Sequence, residues 1–215
     1  MSAAVWDGAF QGSLLDVFAE PEVGPLAGRV ERIQLTHGAW VDVLPGWLTG
    51  ADALYEHLRT GVEWRAERRQ MYERVVDVPR LLSFFDIGVP LPHPALVAAK
   101  AELDSYYADE LGEPFATAGL CLYRDGRDSV AWHGDRIGRS NTEDTMVAII
   151  SVGSPRALML RPCSGTAQTR RFELGHGDLL VMGGSCQRTW EHAVPKTAKP
   201  VGPRISVQFR PRGVQ

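Results

Sequence analysis

The sequence predicts a mainly β fold with flanking helices: a double-stranded β-helix, or jelly roll of the cupin kind, with an N-terminal helix and lid region ahead of it. Three observations predict it. From Gly119 onward short β-rich runs succeed one another at 120–123, 146–152, 157–160, 178–182 and 205–209, separated by Gly, Pro and Asn turns. The last run alternates Arg204, Ser206, Gln208 and Arg210 with Ile205, Val207 and Phe209 in period two, which gives a strand one polar and one apolar face. Before Gly119, residues 94–111 carry apolar residues at helical spacing instead. Many short strands in one domain close most simply as two packed sheets, a fold that can hold a small ligand between them.

Each element can be justified in chain order. Residues 1–25, rich in Ala, Gly and Pro and ending in Pro21-Glu-Val-Gly-Pro25, read as an irregular arm. Residues 26–212 read as one domain, with lid and helices over about 26–118 and the β core over about 119–212. A short helix is expected over 51–59. A longer one is expected over 94–111, where Pro94 stands near the first helical position and Leu96, Ala99, Leu103, Tyr107 and Leu111 share one face for packing on the sheet. Between them, residues 59–80 hold six arginines against Glu63, Glu67, Glu73 and Asp77, interleaved with Trp64, Met71 and Tyr72. Arginines with aromatics can track phosphates and stack on bases, although the same run also fits a solvated charged segment.

Composition narrows the class. With 215 residues, 44% hydrophobic and 23% charged, the chain can bury a full core. It has no apolar run of membrane-spanning length, and Met1-Ser-Ala-Ala-Val-Trp-Asp lacks a basic start and an apolar core, so a cytoplasmic location and no membrane partner are expected. Cys121, Cys163 and Cys186 form no paired or metal-spaced pattern, in keeping with a reducing compartment. The net charge of −3 hides an asymmetry: residues 1–58 hold eight acids against Arg29 and Arg32, a balance of −6, whereas residues 188–215 hold six basic residues against Glu191, a balance of +5. Such asymmetry is a hint of nucleic-acid contact. A monomer is expected.

The chemistry-bearing motif is His133-Gly134-Asp135, with His192 following 57 residues after Asp135. Two neutral imidazoles and a carboxylate are the ligand set of a facial-triad Fe(II) site, which leaves coordination positions open. A His-x-Asp triplet alone is common in surface turns, but on a strand two ligands two residues apart point to one face and can share one metal. Gly134 adds no side chain and lets the backbone bend. The arginines on the closing strand suit a dicarboxylate, because a planar guanidinium pairs bidentately with a carboxylate. Six residues of strand is roughly 20 Å, so Arg204 and Arg210 would grip opposite ends. Arg204 and Ser206 would take the distal carboxylate, with Arg210 near the iron-bound end or paired with Asp135.

In that order, Leu122-Tyr123-Arg124-Asp125-Gly126-Arg127-Asp128, His133-Gly-Asp135, Leu174-Gly-His176-Gly177-Asp178-Leu-Leu-Val-Met182, His192 and Arg204-x-Ser206-x-x-Phe209-Arg210 resemble the AlkB-type Fe(II)/2-oxoglutarate dioxygenases over residues 119–212. A weaker extension at Val78-Pro79-Arg80 is similar to the stretch behind that family's nucleotide-recognition lid. The resemblance implies Fe(II), 2-oxoglutarate and O2. It implies iron ligands His133, Asp135 and His192, and co-substrate contacts Tyr123, Arg204 and Arg210, with Ser206 at a co-substrate position. It also implies a jelly roll and a reaction that demethylates alkylated DNA or RNA bases, releasing formaldehyde, succinate and CO2 from a single-stranded or flipped base. Tyr72, Arg80 and Phe84 are the candidate substrate contacts, with Phe85 behind them. Trp132 and Trp190 read as packing beside the ligands, and His176 as structural. The family usually has Asn where this chain has Cys121, which removes an amide from the co-substrate pocket. Bacterial repair members have an acidic residue where this chain has Ile137. Two alternatives stay open: the same oxygenase chemistry on a protein side chain or small metabolite, and a non-catalytic ligand-binding member of the fold.

Overall fold

The computed structural model describes residues 19–71, 74–166 and 168–214, and side chains outside 69–77. In chain order, β1 (Glu22–Val23), β2 (Glu31–Gln34), β3 (Ala39–Leu44) and β4 (Leu48–Thr49) precede α1 (Ala51–Gly61). The hairpin β5 (Arg65–Met71) and β6 (Arg74–Phe85) leads to α2 (Pro94–Tyr106) and α3 (Ala108–Leu111). Then come β7 (Phe115–Tyr123), β8 (Val130–His133), β9 (Val147–Gly153), β10 (Arg156–Pro162), β11 (Arg170–Leu174) and β12 (Asp178–Gly184). The short α4 (Cys186–Thr189), β13 (Trp190–Val194) and β14 (Arg204–Pro211) complete the chain. Strands make 43% and helices 20% of the described residues.

The strands form an eight-stranded sheet ordered β2-β3-β12-β9-β14-β7-β6-β5 and a four-stranded sheet ordered β11-β10-β13-β8, beside the two-stranded β1-β4. One apolar layer lies between the two large sheets, with Val147, Ile149, Leu158, Leu160, Leu180, Met182 and Trp190 in it. A second lies on the other face of the eight-stranded sheet, where Leu54, Leu58, Leu96, Ala99 and Leu103 of the helices meet Ala148, Ile150, Val152, Ile205, Val207 and Phe209. The jelly roll is therefore the expected one. β9 explains why alternation is missing from its sequence: covered on both faces, it is apolar throughout most of its length, the pattern of a fully buried strand.

Two expectations are corrected. The helix expected over 94–111 is two helices that break at Tyr107 (φ −98°, ψ 10°). The Tyr107 ring is buried, and its hydroxyl donates to Asp42 Oδ2 at 2.9 Å. Arg32 grips the same buried carboxylate through Nε at 2.7 Å and Nη2 at 2.8 Å, so the turn serves a buried polar contact while the Tyr107 ring stays in the apolar core. The sequence predicts strands only from Gly119 onward, yet both margins of the eight-stranded sheet come from earlier residues, β2 and β3 on one side and β5 and β6 on the other. The end of the expected arm is tied in as well, since β1 pairs with β4.

Candidate functional site

β8 and β13 pair antiparallel with His133 opposite His192 and Val130 opposite Val194, so three steps of β8 span two of β13. This bulge lets both Val130 and His133 line one cavity. Trp132, between them, lies beneath the Arg161 guanidinium at 4.4 Å and does not line that cavity. Trp190 is buried between the sheets, and its Nε1 donates to the Thr36 carbonyl at 3.3 Å.

The expected geometry of two ligands on one strand needs correction, because β8 ends at His133 and Asp135 stands in the following loop. At Gly134 an added Cβ would come within 2.5 Å of the Gln187 carbonyl oxygen, a spacing that only glycine permits. Gln187 also accepts the Asp135 N–H through Oε1 at 3.1 Å. The Ser140 hydroxyl donates to the Asp135 carbonyl. The three candidate ligands still converge: their ligand atoms lie within 4.8 Å of one another, His133 Nε2 is 3.6 Å from Asp135 Oδ1, and the two imidazole centroids are 4.2 Å apart.

Protonation suits a cation. His133 Nδ1 is 2.8 Å from the Ala131 carbonyl, which can only accept, so Nδ1 donates there and Nε2 is the nitrogen that faces Asp135. Burial, reinforced by His133, pushes the His192 imidazole down to about 3, which leaves it neutral. Burial alone would raise the Asp135 carboxyl, but Arg210 and the two imidazoles hold it well below the usual carboxylate range. Arg210 Nε donates to Asp135 Oδ2 at 2.8 Å. Two imidazoles and one carboxylate with open positions fit Fe(II).

β14 lies between β9 and β7, placing Arg204 opposite Tyr123, Ser206 opposite Cys121 and Gln208 opposite Gly119. Arg204 is 2% exposed and donates from Nε to Ser151 Oγ at 2.8 Å, while its Nη1 has no partner among the described residues. A buried guanidinium with an unmet donor implies an anion, since an unpaired buried charge is costly. It lies 5.4 Å from the centre of the Tyr123 ring. Burial and the neighbouring Cys121 raise the Tyr123 hydroxyl to about 12, which keeps it a neutral donor. These residues fit a dicarboxylate that reaches from Arg204 toward the triad.

Arg80, expected behind a lid, lines this cavity too: Nη1 donates to the Ser129 carbonyl at 3.2 Å and Nε is buried without a partner among the described residues. Phe84 is 54% exposed and sits opposite Gly119, on the cavity face of β6, whereas Phe85 packs under the helices. Tyr72 lies outside the described residues. A larger cavity of about 350 Å³ opens elsewhere, near Tyr55, Ser154 and His176. There His176 Nδ1 accepts from Gly153 N at 2.8 Å and Nε2 faces Asp52 at 3.3 Å, a structural arrangement without the ligands of the smaller cavity. Gln187 and Ala131 gave no sequence signal for their roles; Gln208 did, by sharing the polar face of β14.

A double-sheet jelly roll holding a His-Asp-His cluster beside a buried, anion-seeking arginine defines an iron-dependent oxygenase that uses a keto acid as co-substrate. The 2OG-Fe(II) oxygenase superfamily model matches residues 86–210, and this chain belongs to that superfamily. It uses Fe(II), 2-oxoglutarate and O2. Proteins of the AlkB type are among its relatives. It is 28% identical over 237 residues to alpha-ketoglutarate-dependent dioxygenase alkB homolog 3 of Bos taurus, covering 92% of this chain and 80% of the relative. It is 35% identical over 135 residues to the DNA oxidative demethylase ALKBH2 of Arabidopsis thaliana, covering 52% of this chain and 42% of the relative. Among solved structures, a Pseudomonas putida prolyl-4-hydroxylase shares the fold with a TM-score of 0.56 at 20% identity, over 83% of this chain and 95% of that one. No helix among the described residues is long and apolar enough to cross a membrane.

Proposed function

We propose that this chain oxidatively dealkylates bases in DNA or RNA, acting on a single-stranded or flipped nucleotide. The observation that carries the reading is the extent of the likeness to the alkB homolog 3 protein, 92% of this chain, which reaches past the iron core into the β5–β6 hairpin. That hairpin carries Arg65 and Arg68 at the surface, on the edge of the sheet where β6 brings Arg80 to the cavity and Phe84 stands exposed opposite Gly119. Arginines track a phosphate backbone, and an aromatic at the mouth can stack on an extruded base.

In this reading His133, Asp135 and His192 hold the iron, and Arg204 with Tyr123 and Ser206 holds the far carboxylate of 2-oxoglutarate. Iron, 2-oxoglutarate and O2 together supply an oxidation that hydroxylates the N-methyl carbon and yields succinate, CO2 and, on collapse of the product, formaldehyde. Arg210 fixes the Asp135 carboxylate in orientation, and the Ala131 carbonyl does the same for His133. The apolar walls Val147, Ile149 and Leu158 exclude water from the cavity. Tyr72, Arg80 and Phe84 are the proposed substrate contacts.

One observation favours a second substrate class. Ile137, two residues after Asp135, is 69% exposed where a carboxylate would suit a cationic base. A protein side chain or small metabolite would then receive the same oxidation. The test is anaerobic reconstitution with Fe(II) and 2-oxoglutarate, followed by oxygen exposure with N-methylated single-stranded oligonucleotides and a His133→Ala control. Oligonucleotide-dependent formaldehyde, absent from the control, is expected. Succinate formed without formaldehyde, and equally with and without oligonucleotide, would transfer the activity to the second class.

A further inference from the structure

The polar face of β14 holds one residue that the metal and co-substrate roles leave unused. Gln208 shares a cross-strand row with Gly119 of β7 and Phe84 of β6, so its neighbour toward the mouth has no side chain. Its carboxamide lies over that glycine, with Oε1 3.4 Å from where a Gly119 Cβ would stand, and also reaches the adjacent row. Nε2 donates to Ser206 Oγ at 2.7 Å, with a longer contact to the Ser206 carbonyl at 3.4 Å, and Oε1 accepts the Cys121 thiol at 3.7 Å. Both partners lie one step toward Arg204, the closed end of the cavity. All three side chains line that cavity, and Gln208 supplies the one carboxamide in its wall.

These contacts decide where protons point. A hydroxyl has one proton to give and two lone pairs. Gln208 occupies an Oγ lone pair of Ser206, and the hydroxyl's own proton has no acceptor among the described residues. The Cys121 thiol donates to Gln208 Oε1 along the cavity wall. We propose that Gln208 is a positioning residue: it orients the Ser206 hydroxyl as a donor to the 2-oxoglutarate anion and holds the weak Cys121 donor. The co-substrate is then fixed by a carboxamide acting through serine across the middle of β14, between Arg204 and Arg210. This inference rests on the co-substrate and is independent of which substrate is oxidised.

The test is the dissociation constant of 2-oxoglutarate for Mn(II)-loaded protein, measured by calorimetry without oxygen or oligonucleotide, beside KM and kcat of the Fe(II) enzyme. A hydrogen bond to a charged group is worth about 10- to 100-fold in affinity. Gln208→Leu is expected to weaken 2-oxoglutarate about tenfold and to raise its KM alike, with kcat within about twofold. Gln208→Glu is isosteric and keeps the fold, but its carboxylate would take the Ser206 proton and repel the anion, for a loss of about 100-fold. Ser206→Ala should cost about as much as Gln208→Leu, and the double variant no more than either, because the two act as one unit. Multiplying losses in the double variant, unchanged 2-oxoglutarate affinity in Gln208→Glu, or a loss confined to the oligonucleotide KM would each overturn the proposal.

Discussion

Arg204 concentrates the tension between stability and function in this site. A guanidinium that is 2% exposed, with one nitrogen unpaired among the described residues, destabilises the ligand-free protein. Arg204→Met keeps the bulk and removes the charge. The expected outcome is a thermal midpoint for the ligand-free variant no lower than that of the parent, together with loss of the stabilisation that 2-oxoglutarate confers on the parent, read by a thermal melt with and without co-substrate. A second prediction concerns Gly134. With only 2.5 Å to the Gln187 carbonyl, Gly134→Ala must displace either the Asp135 loop or α4, and Fe(II) affinity should fall at least tenfold while the far-ultraviolet dichroism is unchanged. At this scale the cluster of His133, Asp135 and His192 was legible because imidazoles and a carboxylate occur in order with the arginines downstream. Of the placements left open for Arg210, the pairing with Asp135 is present, a contact across 75 residues that no spacing encodes. Gln187 was illegible for the same reason: its contact depends on where α4 ends up relative to β8.

The strands divide by how much of their surroundings they carry in their own sequence. β14 alternates because one face meets the helix-covered core and the other lines the cavity, so its period was readable without knowledge of its neighbours. β3 was not readable, since Asp42 at its centre is a charge that ordinarily marks a surface. Its burial becomes tolerable only through Arg32 on β2 and Tyr107 between α2 and α3. The same contact explains why the helical pattern over 94–111 overran: apolar spacing continues through Tyr107 while the backbone turns to deliver its hydroxyl. Tyr107→Phe should therefore lower unfolding free energy by about 1–3 kcal/mol, the expense of leaving a buried carboxylate one donor short. Urea denaturation would check it, and no change in stability would mean that Arg32 alone satisfies Asp42.

Across the whole molecule, charge is arranged against the average. A net charge of −3 would suit poorly a protein that grips phosphates, yet residues 1–58 carry a balance of −6, whereas 59–80 carry +2 and 188–215 carry +5. The fold sets the second group of residues on the β5–β6 edge of the eight-stranded sheet, the edge whose inner strand carries Arg80 and Phe84. Small-molecule turnover in the cavity depends on none of this, because a metabolite would meet the walls of the cavity and not the outer hairpin. Salt therefore separates the two substrate classes. Each phosphate contact on a single strand contributes about 0.7 to the slope of log affinity against log salt. If Arg65 and Arg68 track a strand, the oligonucleotide KM should rise steeply between low and physiological salt, and Arg65→Ala with Arg68→Ala should flatten that slope by about 1.4 while leaving the KM for 2-oxoglutarate unchanged. A slope that is the same in the double variant would remove the hairpin from the interface and leave the basic C-terminal stretch as its remaining site.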